Sequence, residues 1–131
     1  MKDINEIRDF FAKDRFATEN GAFIEEVAEN FARISLDITD HHRNALGAVM
    51  GGVYFLLADF AFAVAANHDT PGVVSLDSTI SFAGAAKGNK LYATAECVKN
   101  GRSTVFYKIT VEDEIGTLCA LINTTGFRIS K

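Results

Sequence analysis

Asp59 stands apart in this sequence. Between residues 45 and 67 it is the only acidic or basic side chain. The stretch around it, residues 50–66, is rich in Ala, Leu and Phe and apolar on nearly every side of a helix, so a buried helix is expected. A lone carboxylate in such a setting costs free energy unless it is bonded, paired or put to use. Desolvation would raise its pKa, and hydrogen bonds would hold it ionised. Two roles are open: a structural carboxylate bonded to a Ser, Thr or backbone N–H, or a catalytic base or nucleophile. Gly51 and Gly52 stand near the expected helix start. Free N–H groups and the helix dipole there favour developing negative charge. Glycine also lets a carbonyl approach the backbone closely. Close packing against a neighbouring strand would explain the pair as well.

Spacing constrains how these groups could cooperate. Gly51 and Asp59 are eight positions apart, about 12 Å along a helix axis. An oxyanion donor must lie roughly 3 Å from the reacting oxygen, and a general base needs similar reach to its proton. One helix cannot place both on one small carbonyl. If both act, they come from two copies of the chain about a two-fold axis, as an obligate dimer with two equivalent sites.

Other familiar chemistry is missing from the sequence. There is no Gly-Xaa-Ser-Xaa-Gly elbow, P-loop, dinucleotide fingerprint or HExxH pair. His41, His42 and His68 lack a metal-ligand spacing and are expected at the surface. Cys97 and Cys119 fall within strand alternation and read as small core residues. Two cysteines are too few for a disulfide framework. No metal or cofactor is expected. The 131 residues predict a single domain over 1–131. With 17 acidic and 13 basic side chains the net charge is −4, which argues against a basic nucleic-acid footprint. Residues 1–10 carry no basic-plus-apolar signal, and a reducing, cytoplasmic setting is expected. A membrane span over 50–66 is disfavoured by the glycine pair, five alanines in 58–66 and an unpaired Asp59 mid-span.

The elements that must position these groups are legible in outline. Ile4, Ile7 and Phe11 recur at helical spacing over residues 3–13, with Asp3 as cap and Glu6 completing a capping box. Asn20-Gly21 marks a turn. Ala32, Ile34, Leu36 and Ile38 alternate in a half-buried strand, with residues 22–27 as its hairpin partner. After the central helix come strands at 73–82, 91–99, 103–112 and 117–129. Leu91, Ala93, Ala95 and Cys97 share one face, as do Val105, Tyr107, Ile109 and Val111. Hairpin-length connections, including Asn100-Gly101, imply antiparallel pairing. The fold class is α+β, an antiparallel sheet wrapped around one long central helix.

Residues 44–59, N-A-L-G-A-V-M-G-G-V-Y-F-L-L-A-D, resemble the signature of hotdog-fold acyl-CoA thioesterases, closest to the phenylacetate-degradation group. That signature runs Asn, two residues, Gly, two residues, His-Gly-Gly, then Leu-Ala-Asp. The likeness extends through residues 60–67, 74–83, 101–102 and the final strand. It implies that Asp59 is the catalytic carboxylate, as nucleophile or as base for water. Gly51 matches the oxyanion-hole N–H, Asn44 the amide that orients thioester or water, and Ser75 a residue that positions the lytic water. The family sets Asn44 and Gly51 across a dimer interface from Asp59. It further implies a homodimer or a dimer of dimers. Phe82, Ala83, Gly84 and Lys87, with Asn100, Gly101, Arg102 and Ser103, would line a coenzyme A groove, Lys87 and Arg102 touching phosphate.

One departure is plain: Met50 stands where the signature has His. A thioether can neither donate a hydrogen bond nor hold a proton. The Gly51 N–H and Asp59 remain, which favours an active thioesterase over a non-catalytic acyl-CoA-binding relative. A dehydratase or regulatory relative ranks last, for want of an Asp–His pairing or a DNA-binding segment. An acyl cavity is expected around Leu46, Met50, Phe55 and Phe60, open to an aromatic or short aliphatic chain.

Overall fold

The computed structural model describes residues 2–129. Met1, which opens the segment searched for a signal, lies outside them. Two short helices come first, α1 (Ile4–Phe11) and α2 (Arg15–Thr18). In α1, Ile7 and Phe11 form the buried face, and Asp3 accepts the Asn5 N–H at 3.2 Å. Its expected capping-box return bond from Glu6 is not found among the described residues.

A hairpin follows, β1 (Phe23–Ala28) and β2 (Phe31–Asp37). Its tight turn places Asn30 at φ 54°, a left-handed conformation that Asn tolerates well. The long helix α3 (Gly51–Asn67) leads into β3 (Val73–Phe82), β4 (Lys90–Asn100), β5 (Thr104–Asp113) and β6 (Leu118–Arg128). Every strand pair is antiparallel, in the order β1-β2-β4-β5-β6-β3.

The predicted alternations form the core. Ala32, Ile34 and Leu36, Leu91, Ala93 and Ala95, and Val105, Tyr107, Ile109 and Val111 are all buried. They pack on Leu57, Ala58, Ala61 and Val64 of α3. Phe62 meets Tyr107 edge to face, with ring centroids 5.3 Å apart. Beside them Gly126 leaves room for Phe62, Val105 and Val73; a Cβ there would come within 2.9 Å of each.

Two expectations need correction. The short connection after β3 suggested pairing with β4, but β3 pairs with β6 at the edge of the sheet. Both edges of β4 are taken, by β2 and β5. The connection therefore spans three strand spacings, about 14 Å, well within the reach of its residues 83–89. The helix, too, is not buried all round. One sheet offers one face, and a stripe of α3 through Gly52, Phe55, Leu56, Asp59, Ala63 and Ala66 stays exposed or half-buried, with α2 packed along part of it. Among the described residues no helix is long and apolar enough to cross a membrane.

Candidate active site

The start of α3 is open. Met50 is the N-cap, with extended backbone (φ −65°, ψ 139°) and no side-chain cap bond. A Ser or Asp there would cap a first-turn amide; a thioether does not. The N–H groups of Gly51 and Gly52 find no acceptor among the described residues. The loop before them is rigidly held. Met50 N–H donates to the His42 carbonyl at 2.9 Å, and Arg43 bridges to Val49. His42 is buried, not at the surface as expected. Its Nδ1 accepts the Thr39 N–H at 3.0 Å, so Nε2 carries the proton and donates to the Asn20 carbonyl at 2.6 Å. Asn44 is exposed, and its Oδ1 accepts the Leu46 and Ala48 N–H groups at 3.0 and 3.1 Å. That bonding fixes the side chain and leaves Nδ2 without a partner among the described residues.

The helix start faces a groove of ≈ 310 Å³ lined by Val49, Gly51, Tyr54, Phe82, Ala83, Gly84 and Ala85. The Phe82 ring lies against Gly51, where an added Cβ would stand 2.9 Å from its Cε1. Close packing on a strand therefore accounts for part of the glycine requirement. Gly84 rests on the Leu118 carbonyl in the same way, at 2.9 Å. This wall is pinned by residues the sequence reading passed over. Ala83 N–H donates to the Cys119 carbonyl at 2.9 Å, and Ala86 N–H to the Tyr54 hydroxyl at 3.0 Å. Asp113 Oδ2 accepts from Lys87 and Gly88 at 2.8 and 3.0 Å. Its Oδ1 accepts from Ile115 and Thr117. Burial acts to raise the Asp113 pKa, but the amides of Lys87, Thr117 and Gly88 outweigh it and hold the carboxyl down at about 2.

Asp59 lies elsewhere. It lines a second recess of ≈ 310 Å³ with Asp14, Arg15, Phe16, Ala17, Leu56, Phe60 and Ala63. It is exposed within the protomer, where a buried site was expected, because it sits on the stripe of α3 the sheet leaves uncovered. The surrounding apolar wall pushes its pKa above the usual 3.8, and the Asp14 carboxylate pushes it further. Among the described residues nothing hydrogen-bonds or ion-pairs with it, so the structural-carboxylate role has no partner here. Arg15, in the same recess, is engaged by Glu19.

Ser75 is exposed on β3, opposite Gly126 and just before a bulge at Leu76. Asn100, Gly101, Arg102 and Ser103 form the β4–β5 turn, at the end of β4 away from residues 83–89. Arg128 braces that turn, bonding Asn100 Oδ1 and donating from Nε to the Gly101 carbonyl at 3.4 Å. Lys87 and Arg102 are exposed. One protomer thus brings Gly51 together with Phe82, Ala83 and Gly84, but neither with Asp59 nor with the β4–β5 turn. Among the described residues of one protomer, Leu46, Met50, Phe55 and Phe60 do not enclose the expected acyl cavity. Leu46 is 93% and Met50 52% exposed, while Phe60 belongs to the Asp59 recess. The Met50 methyl instead folds toward Gly52.

His68 is likewise buried, its Nε2 donating to the Ala28 carbonyl at 2.6 Å. Cys119 is buried and Cys97 partly so. Among the described residues no cluster of His, Cys, Asp or Glu is placed to hold a metal ion.

Six antiparallel strands against one long helix, with open amides at the helix start and a carboxylate two turns on, define a hotdog-fold protein of class α+β. The sequence model of the thioesterase superfamily matches residues 46–120, more than half the chain. The acyl-coenzyme A thioesterase PaaI of Escherichia coli is 31% identical over 120 residues, covering 91% of this chain and 86% of its own. The structure of E. coli PaaI superposes with a TM-score of 0.87 over 93% of this chain and 89% of that one, at 29% identity. A mutant structure of the phenylacetic acid degradation protein PaaI from Thermus thermophilus gives 0.81 at 30% identity, over 88% and 99%. The chain belongs to the thioesterase superfamily, as a PaaI-like hotdog thioester hydrolase.

Proposed function

We propose that the protein hydrolyses acyl-coenzyme A thioesters carrying a small aromatic or short to medium acyl chain, at a site assembled from two protomers. The reading rests above all on the uncapped amides at the start of α3, where Gly51 lines a groove that has no carboxylate base of its own. A thioester carbonyl laid in that groove would develop its oxyanion against these N–H groups and the positive end of α3. Asp59 of a second copy would take a proton from water as the water oxygen bonds to the carbonyl carbon. Collapse of the tetrahedral intermediate breaks the C–S bond, and the departing thiolate takes up the proton. Direct attack by the Asp59 carboxylate is the alternative first step. Asn44 Nδ2 and Ser75 Oγ are the polar groups we assign to orienting the thioester and the water.

The dimer has independent support in β3. This ten-residue edge strand leaves one ladder unpaired and exposes Val74, Leu76 and Phe82. An apolar open edge of that length invites pairing with another strand. Two-fold pairing would also bring Lys87 of one copy nearer the β4–β5 turn of the other, where Arg102 could meet a coenzyme A phosphate. The test is release of free thiol from a panel of aryl and medium-chain acyl-CoA esters by wild type and Asp59→Asn. Turnover in the wild type alone supports the reading.

A non-catalytic acyl-CoA-binding role is the second reading, and Met50 favours it, since no titratable side chain stands at the helix start. Binding of acyl-CoA without thiol release, unchanged by Met50→His, would establish it.

A further inference from the structure

From residue 83 to residue 89 the wall of the helix-start groove belongs to no strand. Irregular backbone of that kind holds its shape only if its amides are bonded. The amides of residues 86–90 are bonded to three side chains. Tyr54 Oη takes Ala86 at 3.0 Å. Asp113 Oδ2 takes Lys87 and Gly88 at 2.8 and 3.0 Å. Glu114 takes Asn89 at 2.9 Å and Lys90 at 3.1 Å. Tyr54 lies one helical turn beyond Gly51 on α3, so its hydroxyl ties the wall to the same turn that offers the open amide. Asp113 is buried, and its second oxygen is anchored by Ile115 and Thr117, so the wall is tied to the β5–β6 turn as well.

We infer that Tyr54 and Asp113 are positioning residues for thioester hydrolysis, which set where the Phe82–Ala85 wall stands relative to the Gly51 N–H. Neither touches the reacting atoms. The inference rests on the thioesterase reading above and assigns two residues to its site. Phe82 already lies against Gly51, and an added Cβ there would stand 2.9 Å from the ring, so a small shift of the wall changes what can reach the amide. Misplacement by about 1 Å can cost a reaction up to about 100-fold. Asn at 113 keeps the shape but turns one acceptor into a donor facing amide donors, so one half of the clasp is lost. Phe at 54 removes only the hydroxyl.

The experiment compares wild type, Tyr54→Phe and Asp113→Asn in thiol release from the best acyl-CoA ester of the panel, with circular dichroism and melting on each. Both variants are expected to stay folded and to raise KM roughly 10-fold. The acid limb of the pH profile should remain in place, because Asp59 is untouched. The double variant should lose less than the product of the two single losses, since both act on one segment. Folded variants with wild-type KM and kcat overturn the inference, even if their melting points fall. Should Asp113→Asn fail to fold, Tyr54→Phe alone decides. A wild type that releases no thiol from any ester fails the underlying reading and takes this inference with it; an active wild type with unaffected variants fails this inference alone.

Discussion

Gly51 and Asp59 share one helix yet open into different recesses. The first faces Phe82, Ala83 and Gly84; the second faces Asp14, Phe16 and Phe60. About 12 Å of helix separates them. No lining residue is common to the two spaces. An oxyanion donor and its base cannot serve one carbonyl across that gap, which is why the account needs a second protomer.

Asp59→Asn should lower thiol release at least about 100-fold. It should not lower the melting point at neutral pH. The Asp59 pKa is raised in the fold by its apolar surroundings and by Asp14. A raised folded pKa makes the ionised carboxylate a cost that grows as pH rises through the unfolded value. Paired thiol-release and melting measurements check both halves.

The same shift predicts the pH profile. A base must be ionised, so kcat/KM should rise with pH along a limb centred above 3.8. Asp14→Asn removes the second cause of the shift and should move that limb toward lower pH. A limb that does not move would mean that Asp14 does not face the working base.

Asp113 has the opposite sign. Its folded pKa of about 2 lies below the ordinary carboxylate value. It therefore stabilises the fold above about pH 4, and that contribution disappears as pH falls toward 2. Asp113→Asn should cost about 2 kcal/mol at neutral pH, with the gap to wild type closing in acid. Urea titrations at several pH values measure this.

Gly126→Ala would place a methyl 2.8 Å from both Phe62 Cζ and Val105 Cγ2 in the packed core. It should destabilise by about 1–3 kcal/mol with no change in m-value.

Period and turn chemistry made much of this molecule legible. The alternations in β2, β4 and β5 identified their buried faces, because a strand half in water must alternate. The apolar run over residues 50–66, interrupted by charge only at Asp59, predicted α3, and the motif from Asn44 to Asp59 singled out the candidate site. Sheet order was harder to see, because a connection of seven residues is long enough either to turn back or to cross two intervening strands. The burial of His42 and His68 depends on the distant carbonyls of Asn20 and Ala28, which local patterns do not reveal. Asp113 and Glu114 read as ordinary turn acids. Their role emerges only once the fold lays them beside residues 86–90. The apolar run alone implies a helix covered on all sides; the exposure of Asp59 follows from a single sheet, which covers only one side of α3.

The shared site is tested most directly by complementation. Gly51→Pro deletes the open amide at the first helical position, after a residue already extended, and its ring displaces Phe82, which lies 2.9 Å from an added Cβ, in that same half-site only. Alone, this variant and Asp59→Asn should each be inactive. Co-expressed with different tags, they should form mixed dimers in which one site has both Gly51 and Asp59 intact. Activity should return to about a quarter of wild type, since half of randomly mixed dimers carry one good site of two. Mixed dimers isolated through both tags that release no thiol would contradict the account.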